Sequence, residues 1–325
     1  MTVAYAAKTV DDVRWNQIVD DLTRRQFGAG LGVAALAALA AACSGSDAAT
    51  GDTSGTRAVE HARGVTDVPF RAERVVVLDS LPIDTVVSLG VTPVGAAEAG
   101  SASSLPEYLG SGLDGTESVG KIAEPNLESI ARLQPDLILS NDQRHGEIYE
   151  SLSNIAPTVF AASPAVDWQG SIHLYADALG RTETADEALT RYHERTAALK
   201  ERFAANPRTA HILRVVDPGV RLHGPRTFGG SVLTEAGLLV TGHEWDAKND
   251  MAELSLEHVG LVDSDLLFIA NNLPEGDLGL PPELVSQFGA AESGGIRQVD
   301  YRIWITGIGL AGANRILDDL ETALA

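Results

Sequence analysis

Side chains able to make and break bonds are present in this chain, but their spacing does not assemble them. The eight histidines, His61, His145, His173, His193, His211, His223, His243 and His258, are scattered. No two share a helix-face spacing, and a dedicated zinc or manganese site needs a convergent set. There is no Gly-x-Ser-x-Gly elbow, no His-Glu-x-x-His and no phosphate-binding loop, so hydrolytic and phosphoryl-transfer chemistry lacks its usual carriers. Gly229-Gly230-Ser231 lacks a following Lys and reads as a tight turn before a helix. The single cysteine, Cys43, allows no intrachain disulfide. Two arginines stand out by their placement. Arg144 comes directly after the apolar run at 137–140, and Arg214 sits inside His211-Ile212-Leu213-Arg214-Val215-Val216. An unpaired Arg in a core is expensive, so Arg214 is expected to leave the strand end and enter a cleft.

Two repeated phrases describe the elements that must hold such residues. Asn126-Leu127-Glu128-Ser129-Ile130 returns as Ser255-Leu256-Glu257-His258-Val259, each with an Asp eight residues after the Glu and then an apolar run. Asn126 and Ser255 read as N-caps, and each Glu sits in the first turn beside the positive end of its helix. Leu127, Ile130 and Leu133 make one apolar face, and Leu137-Ile138-Leu139 reads as a buried strand. A second echo pairs Ser88-Leu89-Gly90-Val91-Thr92-Pro93-Val94-Gly95 with Glu235-Ala236-Gly237-Leu238-Leu239-Val240-Thr241-Gly242, a helix end with a C′ glycine followed by a short strand. The echoes have offsets of 129 and 147 residues and keep the same order. Two related α/β lobes are expected.

Asp and Glu total 45 against 24 Lys and Arg, a formal charge of −21, and the 325 residues have room for two medium domains. Residues 1–42 carry four charges of each sign, so the deficit falls on the rest. An acidic body argues against non-specific binding to nucleic acid or anionic membrane. Thr23-Arg24-Arg25-Gln26-Phe27 opens a weakly apolar stretch of sixteen residues counted from Phe27, short of the ~20 that span a bilayer. The Arg24-Arg25 pair with Phe27 resembles a Tat export signal. Leu39-Ala40-Ala41-Ala42-Cys43 resembles a lipobox, with Ala40 where Leu is usual, so Cys43 is expected to carry the lipid. Residues 1–42 are read as the signal, and 1–22 within them fit a long leader or a misassigned start. Residues 43–56 have no large apolar side chain and read as a flexible tether.

In the body, 59–69 read as a hairpin, 74–78 as a buried strand, 82–89 as a helix and 91–94 as the next strand. Residues 105–113 read as a loop, 148–155 as a helix and 157–160 as a strand. The alternation predicts a mainly parallel, doubly wound sheet. From Trp168 the strands stop. Residues 169–179 and 183–205 read as helices, the second with Leu189, Tyr192, Thr196 and Leu199 as its apolar stripe. A helix of about 20 residues is ~30 Å long, enough to cross between domains. The βα pattern resumes through 211–216, 222–223, 231–236, 238–240 and 296–299 to a helix over 310–324. The fold class is α/β, with lobes at 57–167 and 207–325 and a connecting helix at 168–206.

Five pieces in order carry a family resemblance: Arg74-Val75-Val76-Val77-Leu78, Leu89-Gly90-Val91-Thr92-Pro93-Val94-Gly95, Asn126-Leu127-Glu128 through Pro135-Asp136-Leu137-Ile138, Ile155-Ala156-Pro157-Thr158-Val159 and Leu254-Ser255-Leu256-Glu257. Over about 57–325 the chain resembles the substrate-binding lipoproteins for ferric siderophores and vitamin B12 in ABC importers. The resemblance implies a class III periplasmic binding protein fold, two Rossmann-like lobes joined by one long helix. It implies no catalysis, no cofactor and no resident metal, because the iron arrives chelated. The implied ligand is a ferric siderophore; haem or cobalamin is the alternative cargo, and an extracytoplasmic α/β enzyme is the rival from another class. Catecholate, hydroxamate and carboxylate siderophores stay open. The implied state is a monomer, lipid-anchored on the extracytoplasmic face of the cell membrane and docking on a two-subunit permease.

Ligands of open α/β sheets bind beyond the carboxyl ends of the strands. The cleft would thus draw on loops at 79–81, 97–98, 141–145, 214–218, Arg226, 243–245, 271–272 and 301–304. Within them the resemblance implies Arg144, Arg214, Trp245, Tyr301, Arg302 and Trp304 as ligand-binding residues, Arg226 being a weaker candidate in its Gly-Pro-Arg turn. It also implies that Glu128 and Glu257, one per lobe, meet arginines of the permease. Each Glu also favours its own helix N-terminus, by about 0.3–1 kcal/mol.

Overall fold

The computed structural model describes residues 55–99, 104–163 and 167–323. The chain enters as an antiparallel hairpin, β1 (Thr56–His61) and β2 (Gly64–Pro69). A six-stranded sheet of order β6-β5-β4-β3-β7-β8 follows. Its strands are β3 (Val75–Val77), β4 (Gly95–Glu98), β5 (Glu117–Lys121), β6 (Glu124–Pro125), β7 (Leu137–Asn141) and β8 (Thr158–Ala161). All pair in parallel except β5 with β6. β3, β7 and β8 are buried along their whole length, as expected where a parallel sheet is covered on both faces.

Helix α1 (Ser80–Ser88) is capped by Asp79, and Gly90 takes φ +76° just past its end, the left-handed turn expected of a C′ glycine. The next strand begins at Gly95 and not at Val91. Pro93 has no N–H to give a ladder, and pairing starts with the Val94 N–H on the Val75 carbonyl at 2.9 Å. Helix α2 (Leu127–Arg132) has its expected cap, Asn126 accepting the Ser129 N–H at 2.9 Å.

The connector is two helices, α4 (Trp168–Leu179) and α5 (Thr182–Ala204), following the short α3 (Asp142–His145). They part at Gly180, φ +67°. α5 runs for 23 residues and buries Leu189, Tyr192, Thr196 and Leu199, the stripe its periodicity required. The second sheet, of order β11-β10-β9-β12-β13, contains β9 (Ala210–Val216), β10 (Gly219–His223), β11 (Met251–Ser255), β12 (Leu266–Asn271) and β13 (Ile296–Asp300). It is mixed: β9–β10 and β10–β11 are antiparallel, and only β9–β12 and β12–β13 are parallel. Asp217-Pro218 joins the paired residues Val216 and Gly219, so a two-residue turn reverses the chain and makes this pair antiparallel, where a mainly parallel sheet was expected. Residues 238–240 supply one bridge, Thr209 to Leu239, and no strand. The second phrase forms a 3-10 helix, Leu256–Leu261, that Ser255 does not cap with its side chain. The Ser255 hydroxyl pairs instead with His258 Nδ1 at 3.1 Å.

One apolar cluster packs the six-stranded sheet around Val76, Ile138 and Phe160, and another packs the five-stranded sheet around Leu213, Leu267 and Ile269. The largest is common to both lobes, running from Val77 and Leu139 through Tyr175 and Tyr192 to Phe268 and Leu317. The final helix α8 (Leu310–Ala323) packs on α1, α5 and α6 (Phe228–Glu235); the short α7 (Tyr301–Trp304) precedes it. Ala311 and Gly312 at the start of α8 donate their N–H groups to Asp84 of α1 at 2.9 and 3.0 Å. Asp84 is fully buried, and loss of solvent pushes its carboxyl up to about 6. No described helix is long and apolar enough to cross a membrane.

Candidate functional site

Parallel pairing builds the first wall of the site. The register Val77 to Leu139 carries Asp79, just past the end of β3, beside Asn141, the last residue of β7. Asp79 is 1% exposed. It accepts the Ser80 N–H at 2.6 Å, the Asn141 amide, and Arg144 Nε at 2.7 Å. Asn141 in turn caps α3 by accepting the Arg144 backbone N–H at 3.1 Å. Arg144 is thus held at its backbone and at its Nε, while half of its side chain stays exposed.

The facing wall repeats the device by different means. Antiparallel pairing of His223 with Met251 places Gly224 beside Asp250, whose carbonyl accepts the Gly224 N–H at 2.8 Å. Asp250 takes φ +57°, a left-handed conformation that Asp tolerates better than most residues. Its carboxylate, nearly buried, accepts the Arg226 backbone N–H and Arg226 Nε, the latter at 3.0 Å. The Arg226 side chain is 63% exposed. Each lobe therefore presents one arginine braced from behind by a buried aspartate. Hydrogen bonds and the ion pair together offset the cost of burying each carboxylate.

Between the walls lies a cavity of about 540 Å³, within the range of small-ligand sites. Ile122, Gln143 and Arg144 line it from the first lobe, and Arg226, Lys248 and Asn249 from the second, over an apolar floor that includes Ile305 and Ile308. Asp246 shapes the turn that carries Lys248 and Asn249 by accepting their N–H groups at 2.9 and 3.0 Å. Buried His145 supports the Ile122 edge, with Nε2 2.6 Å from the Ile122 carbonyl and Nδ1 2.6 Å from the Ser140 hydroxyl. Nε2–H must donate to the carbonyl, so Nδ1 accepts, and burial keeps the ring neutral by lowering its pKa. His223 borders the cavity; burial first, then the charges of Arg221 and Arg214, pull its pKa down to about 4.

Of the six residues expected to bind ligand, Arg144 stands on this cavity with an exposed side chain. Trp304 borders it but is 1% exposed. Its indole stacks on Phe268 at 4.5 Å between ring centres and donates Nε1–H to Asp319 at 2.7 Å, which makes it a core residue and not a presented ring. Arg214 lies off this wall, with its guanidinium 4.8 Å from the centre of the Tyr301 ring. Tyr301 and Arg302 line a separate hollow of about 90 Å³. Arg302 is engaged there by Asp300 at 2.8 Å and, across the lobes, by Glu107 at 2.9 Å. Trp245 belongs to a third hollow and packs against His243 at 5.7 Å.

Lys248 and Asn249, which were not among the expected residues, also line this cavity, as does Arg226, the weaker candidate. All three sit in polar turns: the only signal around Lys248 and Asn249 is the flanking pair Asp246 and Asp250, and around Arg226 it is the Gly-Pro-Arg turn itself. Glu128 and Glu257 are both exposed in the first turns of their helices. Cys43, Arg24 and Arg25 lie outside the described residues.

The family model described as periplasmic binding protein matches residues 75–287. The probable siderophore-binding lipoprotein YfiY of Bacillus subtilis is 31% identical over 300 residues, 86% of this chain and 92% of that protein. The putative ABC transporter substrate-binding lipoprotein YhfQ of the same organism is 30% identical over 308 residues, 90% of this chain and 95% of that protein. Among solved structures, Staphylococcus aureus SirA complexed with staphyloferrin B is similar with a TM-score of 0.70 at 27% identity, covering 83% of this chain and 98% of that one. This chain belongs to the periplasmic binding protein family.

Proposed function

We propose that the protein captures a ferric siderophore in the interlobe cavity and delivers it to a two-subunit ABC importer. The observation that carries this reading is the pair of braced arginines, Arg144 on Asp79 and Arg226 on Asp250, one from each lobe. A ligand touching both bridges the lobes, and guanidinium forks suit the oxygen-rich rim of an iron chelate. The relatives support it in name, one as a siderophore-binding lipoprotein and one as an ABC transporter substrate-binding lipoprotein. Iron enters as part of the cargo, so the protein needs neither a metal site of its own nor a catalytic group. Residues 1–42 act as a Tat-type signal through Arg24 and Arg25, Cys43 takes the lipid, and 43–56 tether a monomeric body to the outer face of the cell membrane. Glu128 and Glu257 then meet basic residues on the two permease subunits.

The test is intrinsic tryptophan fluorescence titrated with ferric siderophores, haem and cobalamin. Saturable quenching by one ferric complex at sub-micromolar concentration is expected. Saturation by haem or cobalamin alone, or by nothing, contradicts the reading.

A further inference from the structure

The lining of the interlobe cavity points to one class of ferric complex, an inference that rests on the siderophore reading above. The charged and amide groups offered to a ligand are donors; beside them, among the described lining residues, stand only the neutral His223 ring and the Ser163 and Thr227 hydroxyls. Arg144, Arg226 and Lys248 bring positive charge from both lobes. The Ser163 hydroxyl donates to the Gln143 carbonyl oxygen at 2.8 Å, and the Met251 N–H donates to the Asn249 side-chain oxygen at 3.1 Å. Each amide is left with its NH₂ group for the cavity. The one carboxylate among the described lining residues, Asp250, has Oδ2 on the Arg226 N–H and Oδ1 on the guanidinium. Aromatic faces are withheld: Phe228 is 3% exposed and Trp304 1%, while Tyr301 and Trp245 border other hollows.

Each common chelate chemistry meets this lining differently. The rings of a tris-catecholate find no exposed aromatic face to pack on. A trihydroxamate complex of ferric iron is close to neutral and would cover three cations without pairing them. Carboxylates that point away from the iron are acceptors only, and they match guanidinium forks, an ammonium and amide NH₂ groups together. We propose that the cavity selects ferric complexes of the citrate class, with carboxylates at one end on Arg144 and at the other on Arg226 and Lys248.

Isothermal titration of the folded protein with ferric citrate, ferrioxamine B (a trihydroxamate) and ferric enterobactin (a tris-catecholate) tests this. Ferric citrate is expected to bind at least about 100-fold more tightly than the other two. Asn249→Asp keeps an acceptor for the Met251 N–H and replaces the free donor by a carboxylate. It should weaken ferric citrate by about tenfold or more. Equal or tighter binding of ferrioxamine B or ferric enterobactin overturns the class and leaves the siderophore reading standing. Unchanged ferric citrate affinity in Asn249→Asp overturns the donor argument on which the class rests. Failure of all three complexes, with haem or cobalamin binding in their place, overturns both readings.

Discussion

Asp79 and Asp250 hold Arg144 and Arg226 on fixed bearings, so these long side chains lose less freedom when a ligand arrives. The same residue scale separates a cleft residue from a core residue. Trp304→Phe removes the Nε1–H bond to Asp319 and part of the stack on Phe268. It should cost about 2–4 kcal/mol of stability in urea unfolding, with ligand affinity within about threefold of the parent. A large affinity loss at unchanged stability would return Trp304 to the cleft. The place of Arg144 on the cavity wall was legible because it follows a buried parallel strand, and cavities of such sheets open at that end. Trp304 was misplaced because its hydrogen-bond partner, Asp319, lies on the last helix, and no local pattern announces that pairing. Lys248 and Asn249 were invisible because a polar turn reads the same whether it faces solvent or a cavity.

At the scale of elements, the hairpin, β3, β7, β8 and the long α5 could all be read from apolar runs and periodicity. The misses have local causes, the missing N–H of Pro93 and the Asp217-Pro218 reversal that turns the second sheet mixed. The Asp84 cap on α8 could not be read at all, since residues 84 and 311 meet only through the fold. It has a pH signature. Burial raises the folded carboxyl from 3.8 to about 6, so between those values the native state holds more protons than the unfolded chain. This contribution to stability therefore falls as pH rises from about 4 to about 6, by roughly 3 kcal/mol, and is flat above. Unfolding of the parent and of Asp84→Asn across that window should show the parent losing stability relative to the variant as pH rises. Parallel curves would contradict the assignment.

At the scale of the molecule, one apolar core runs through both lobes, and α8 of the second lobe is capped by α1 of the first. Such a body closes by small adjustments and not by a wide hinge. The exposed Arg302–Glu107 bridge spans the lobes, yet an exposed pair contributes only about 0–1 kcal/mol. Arg302→Ala should thus leave thermal stability nearly unchanged, and a loss of several kcal/mol would show the bridge to be a structural pin. Docking belongs to this scale too. Glu128→Gln combined with Glu257→Gln should abolish uptake by whole cells while ligand affinity stays intact, and normal uptake would remove both from the permease interface.

On the proposed reading, two aspartate-braced arginines, one per lobe, hold the cargo. The most direct measurement is the affinity of Arg144→Ala and Arg226→Ala for the ferric complex that the parent binds, by isothermal titration, beside their urea unfolding curves. Each substitution is predicted to weaken binding by about 1.5–3 kcal/mol, roughly 10- to 150-fold, with folding preserved. Parental affinity in both well-folded variants would contradict it.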